Sequence, residues 1–132
     1  MLTKQLYVLV GLLIGGALTL SGARQIAAET VEVKVRMYDT PAAFVPDPVK
    51  IKVGDTVVWS NKGDTVHTAT TDPAQAPNPG FASVPTGAAT FDSGFLNGGE
   101  NFSYTFKVPG VYHYFCTTHV KEGMKGEVDV EK

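Results

Sequence analysis

The chain has 132 residues, of which 43% are hydrophobic and 18% charged, with a formal net charge of −2 at pH 7. That length suits one domain with a modest core and leaves no room for a second. The composition is that of a globular protein, and the charge balance excludes a strongly basic footprint, so no nucleic acid is expected as a partner.

The first 28 residues read differently from the rest. Gln5 to Ala23 carries no charge, follows Lys4, and centres on LYVLVGLLIGGALTL. A basic start and an apolar run are the pattern of an export signal. Ser21-Gly22-Ala23 offers a cleavage site after Ala23, and Ile26-Ala27-Ala28 a weaker one after Ala28. The uncharged stretch spans 19 residues, and about 20 apolar residues cross a bilayer, so the alternative is an uncleaved membrane tether through residues 5–23. Either reading exports the domain of residues 29–132.

From Val31, the residues Val31, Val33, Val35 and Met37 alternate with Glu32, Lys34 and Arg36, the period of a half-buried strand. FVPDPVKIKVGDTVVWS then predicts two strands joined as a hairpin at Gly54-Asp55, the second ending at Trp59. Pro46 and Pro48 at its start suit an edge strand, which tolerates a missing donor. TVHTAT, after a polar turn over residues 61–64, predicts a short strand carrying His67. Residues 71–90 are rich in Pro, Gly and Ala and show no period, which predicts a long loop. FDSGFL, FSYTFKV, VYHYF and KGEVDV follow as short strands at regular spacing. The fold class expected is all-β, two packed sheets of seven to eight strands.

Cys116 is the chain's single cysteine. In an exported protein an unpaired cysteine points to an intermolecular bridge, a free thiol or a metal ligand. It stands at the head of CTTHVKEGM, with His119 three residues on and Met124 five further. In VYHYFC, Tyr112, Tyr114 and Cys116 share one face, and Val111, His113 and Phe115 the other. Both faces carry bulk, so parity alone leaves either one inward; if Cys116 faces inward, His113 faces out.

A thiolate, imidazoles and a thioether together suit copper: soft sulfur holds Cu(I), imidazole holds either oxidation state, and a two-His-one-Cys set with a weak axial Met is an electron-transfer arrangement. Calcium and magnesium need oxygen ligands, and structural zinc sites rarely use methionine. Three histidines exist. His113 lies on the opposite face of its strand from Cys116, so His67 is the remaining candidate for the second imidazole.

These stretches resemble the cupredoxins, the small blue copper proteins, and most closely the plastocyanin and pseudoazurin-like group. YHYFCTTHVKEGMKGEVDV is similar to their ligand loop and last strand, FVPDPVKIKVGDTVVWSN to their amino-terminal hairpin, and TVHTAT supplies the upstream histidine; FDSGFL and FSYTFKVPGVY resemble the strands between. The resemblance covers roughly residues 31–130. It implies a Greek-key β-sandwich with one copper ion at one end, held by His67, Cys116, His119 and Met124 and cycling between Cu(I) and Cu(II). Thr68 stands where many relatives have an asparagine that helps lock the ligand loop, and its hydroxyl is expected to take part of that role.

The resemblance further implies a monomer that is no enzyme and that shuttles single electrons between larger redox proteins. Contact would be transient and near His119, with Val120, Phe115 and the apolar residues of the long loop as candidate surface. The matching locations are the periplasm, the thylakoid lumen or the outer face of a membrane. The alternative is a copper carrier or storage protein using similar ligands. A multinuclear copper oxidase would need many histidines.

Overall fold

The computed structural model describes residues 27–132. The segment expected to act as export signal or anchor, residues 1–28, lies outside the described residues apart from its last two.

Seven strands form: β1 (Glu32–Asp39), β2 (Ala42–Val45), β3 (Val49–Lys52), β4 (Thr56–Asn61), β5 (Asn101–Thr105), β6 (Gly110–Phe115) and β7 (Lys125–Glu131). They make two sheets, ordered β2-β1-β4-β5 and β3-β7-β6. Each sheet is mixed: β1 runs parallel to β4 and β3 parallel to β7, and the other pairs are antiparallel. The all-β sandwich expected from the period-two pattern is therefore the observed fold.

Burial follows that pattern. Val35 and Met37 of β1, Val57 and Trp59 of β4, and Tyr112, Tyr114 and Val128 of the second sheet are fully buried between the layers. The middle is aromatic: Trp59 packs 5.2 Å from Phe91 and 5.3 Å from Tyr114, ring centre to ring centre. Burial pushes the Tyr114 phenol up from its ordinary pKa, so it is neutral at any working pH. Gly126 of β7 lies directly beneath the Tyr114 ring, where a Cβ would overlap it.

The structure corrects three expectations. Residues 49–59 are not a hairpin. β3 joins β7 in one sheet and β4 joins β1 and β5 in the other, so the Gly54-Asp55 turn crosses between layers. Asp55 fixes that crossing, its two carboxylate oxygens accepting the Val31 N–H at 2.8 Å and the Lys52 N–H at 2.9 Å. TVHTAT and FDSGFL are not strands but touch their neighbours only at isolated bridges, at His67–Leu96, Thr70–Asp92 and Thr70–Phe115. Side chains take the amide donors a ladder would use: the Thr68 N–H goes to Cys116 Sγ and the Ala69 N–H to Ser93 Oγ. Third, Phe115 is fully buried and so lines no partner surface.

The long loop contains two 3-10 turns, Pro73–Gln75 and Pro79–Phe81, each begun by a side chain, Asp72 or Asn78, that accepts a backbone N–H. Farther on, Ser83 and His113 exchange backbone hydrogen bonds at 2.9 and 3.1 Å. That covers part of the outer edge of β6, which would otherwise present unpaired donors and acceptors.

The Val31 and Lys52 amides hold the Asp55 carboxyl below the usual carboxylate range. A group whose folded pKa is depressed stabilises the fold above its unfolded pKa of about 4, and that contribution is lost as pH falls through the folded value. Asp55→Asn has one acceptor oxygen for two donors. We expect it to lower the Tm at pH 7, with the gap to the wild type narrowing below pH ~4. A gap that stays constant down to pH ~2 would show that the charge plays no part.

Candidate metal centre

β6 ends at Phe115, whose backbone exchanges two hydrogen bonds with Thr70, both 3.1 Å. That pairing sets the next residue, Cys116, beside the segment carrying His67. The cysteine faces inward and is fully buried. His113, on the opposite face, is exposed and pairs with Glu127 at 3.2 Å, outside the site.

The ligand atoms of His67, Cys116 and His119 all lie within 4.8 Å of one another. Cys116 Sγ is 3.6 Å from Nδ1 of each histidine, and the two imidazole centres are 4.5 Å apart. A first-row ion holding a thiolate at about 2.3 Å and an imidazole at about 2.0 Å, at trigonal to tetrahedral angles, keeps sulfur and nitrogen roughly 3.5–3.8 Å apart. The spacing fits a metal without rearrangement.

Met124 is buried just before β7, and its carbonyl accepts the Cys116 N–H at 3.0 Å. This bond closes the base of the 116–124 loop. Within the loop a 3-10 turn, Val120–Glu122, ends at Gly123, whose φ of +85° is a left-handed conformation that glycine adopts without strain. Of the four expected ligands, only His119 is partly exposed; His67, Cys116 and Met124 are shut away from solvent.

Backbone and hydroxyl groups surround the sulfur. The Thr68 N–H donates to it at 3.3 Å and the Thr118 hydroxyl lies 3.1 Å away, itself donating to the Val66 carbonyl at 2.8 Å. Thr68 Oγ1 accepts the Thr117 N–H at 2.8 Å, so this hydroxyl links the His67 segment to the ligand loop, as expected of it.

Four residues of the site carry no spacing signal that reveals them in the sequence. Asn61, fully buried, donates through its side-chain amide to the carbonyls of Thr65 and Leu96 at 2.8 and 2.9 Å and accepts the Gly63 N–H. It braces the turn before His67. Asp39, at the end of β1, accepts His67 Nε2 at 2.7 Å. The Thr65 hydroxyl, the Asp64 amide and His67 hold its carboxyl well below the usual range. Thr65 and Thr118 complete the set. A polar turn at residues 61–64 was readable, but not what its side chains hold.

Comparison with known proteins agrees with this geometry. A family model described as copper binding proteins, plastocyanin/azurin family, matches residues 31–131. Plastocyanin from Scenedesmus fuscus is 34% identical over 102 residues, covering 76% of this chain and 99% of that protein. Chloroplastic plastocyanin from Fritillaria agrestis is 34% identical over 122 residues, covering 89% of this chain and 71% of that one. A pseudoazurin from Sinorhizobium superposes with a TM-score of 0.62 at 28% identity, over 78% of this chain and 76% of that one. Because the match runs through both sheets and the loop from Cys116 to Met124, the likeness extends beyond strand layout: the chain belongs to the plastocyanin/azurin family of copper-binding proteins, the cupredoxins, and its donor set fits one type 1 copper ion.

Proposed function

We propose that the protein is an exported electron carrier in which His67, Cys116, His119 and Met124 hold the copper ion. The observation that carries this reading is the meeting of three ligand atoms within 4.8 Å, drawn from segments 49 residues apart in the chain. Bound copper supplies one-electron chemistry between Cu(I) and Cu(II).

The chain's own groups account for the rest. Cys116 provides a thiolate, and the Thr68 N–H stabilises charge on its sulfur. The backbone bonds at Thr70–Phe115 and Cys116–Met124 hold the donors in one arrangement, which keeps nuclear motion small when an electron arrives or leaves. Burial of three of the four groups excludes water. His119, partly exposed, offers the edge through which a redox partner makes contact. Such encounters are small and transient.

Export, by a cleaved signal or a retained tether in residues 1–28, is supported by the apolar segment and by relatives that are named chloroplastic. A monomer needs no further residue for this role, and no reaction on a substrate is assigned.

The test is the absorption and electron-spin spectrum of residues 29–132 after addition of Cu(II). An intense visible band is expected; a colourless complex that takes zinc equally well would overturn the reading. Met124→Leu is expected to retain copper and raise the reduction potential, because a weak donor to Cu(II) is removed. An unchanged potential in cyclic voltammetry would place Met124 outside the ligand set.

A further inference from the structure

We propose that Asp39 is the positioning residue of the site, fixing His67 in the tautomer with its proton on Nε2 so that the Nδ1 lone pair faces Cys116. This deepens the reading above and rests on it for the identity of His67 as a ligand.

Asp39 divides its two oxygens between different kinds of donor. Oδ2 accepts the backbone N–H groups of Asp64 at 2.7 Å and Thr65 at 3.2 Å. Oδ1 accepts the Thr65 hydroxyl at 2.8 Å and His67 Nε2 at 2.7 Å. Gly63 lies against the carboxylate so closely that any Cβ would overlap it, so the turn is built around this side chain. The Thr65 oxygen is also 3.5 Å from His119 Nε2. One carboxylate thus touches the first imidazole directly and reaches the tip of the second through one hydroxyl. A metal-ligating histidine needs its other ring nitrogen held as a donor, and a carboxylate does this while raising the basicity of the ligand nitrogen. With His67 fully buried, Asp39 is the acceptor its Nε2 proton meets among the described residues.

The division of oxygens makes the asparagine variant informative. Backbone amides cannot become acceptors, so the single oxygen of Asp39→Asn must face Asp64 and Thr65. Its NH2 group then faces His67 Nε2. That nitrogen has to accept, the ring proton moves to Nδ1, and the lone pair aimed at Cys116 is lost. Asp39→Ala imposes no tautomer. The near-isosteric variant is therefore more damaging to metal binding than the truncation, an inversion that a merely structural residue does not produce; loss of activity on a wrong tautomer has the same logic in catalytic triads.

The experiment uses the full-length chain, metal-free and copper-loaded. Histidine-selective 15N–1H NMR of the metal-free wild type should show His67 protonated on Nε2, and Asp39→Asn should move the proton to Nδ1. Copper affinity, by competition with a chelator, should fall about 10–100-fold in the asparagine variant and less in Asp39→Ala. A wild-type ring protonated on Nδ1 overturns the proposal whether or not the variants fold, and so does an asparagine variant that keeps Nε2–H or binds copper better than the alanine one. The expected tautomers in a wild type that forms no blue complex would uphold Asp39 and overturn the ligand assignment alone.

Discussion

Cys116→Ser should abolish the intense visible absorption of the copper-loaded protein, and this is the largest spectroscopic change expected of any single substitution here. The band arises from charge transfer out of a thiolate, a soft, easily oxidised donor, and an alcohol neither ionises near neutral pH nor binds Cu(I) well. The buried sulfur stands 3.6 Å from both imidazole Nδ1 atoms, and the Thr118 hydroxyl beside it, 2.9 Å from His119 Nδ1, is no soft donor. The absorption spectrum and chelator competition should lose the band and the affinity together. Survival of the band in the serine variant would remove Cys116 from the site and with it the electron-carrier reading.

The largest loss of stability is expected from Trp59→Ala. Trp59 is fully buried in β4 and meets Phe91, Phe102, Phe106 and Tyr114 at ring-centre distances between 5.2 and 6.4 Å. It contacts aromatic residues of both sheets and of the segment after the long loop. Removing such a ring leaves a cavity costing about 3–5 kcal/mol, which in a domain of this size lowers the Tm by at least roughly 12 °C. Calorimetry should be done on metal-free protein, since a bound ion adds its own stabilisation. Trp59→Phe should cost much less. It keeps a ring in place, and the indole N–H it removes is buried without a hydrogen bond of good geometry among the described residues, as is the nearby Tyr114 hydroxyl. Equal losses from the two variants would show that the N–H makes a bond the fold depends on.

How much of this was legible in the sequence depended on whether the signal was local. β1, β5, β6 and β7 show alternation along their own length, and each forms where the pattern puts it. Cys116, His119 and Met124 are uncommon residue types at fixed short intervals, and once Cys116 turned inward, elimination of His113 left His67. The turn at Gly54-Asp55 reads as a hairpin because a two-residue turn looks alike whether the chain doubles back in one sheet or passes to the other. What decides is tertiary: the Val31 amide on Asp55 and the bond from the Gly54 N–H to the Phe106 carbonyl, 2.8 Å. TVHTAT carries β-formers, yet the amides of Thr68 and Ala69 serve a sulfur and a hydroxyl. Asp39 is 28 residues from the histidine it holds, and no spacing rule links them.

Three of the proposed ligands sit on the connection between β6 and β7, which pair with each other as antiparallel neighbours; His67 alone is drawn from elsewhere. That lopsided distribution bears on the order of metallation. The nine-residue stretch from Cys116 to Met124 carries a thiol, an imidazole and a thioether whether or not the sheets have formed, whereas the parallel pairings of β1 with β4 and β3 with β7 join separate parts of the chain and form more slowly. Copper added to the unfolded chain is therefore expected to meet this carboxy-terminal hairpin first, with the His67 imidazole joining when the sandwich closes. In a chain that folds first, His119 is the one proposed ligand of the four that solvent reaches.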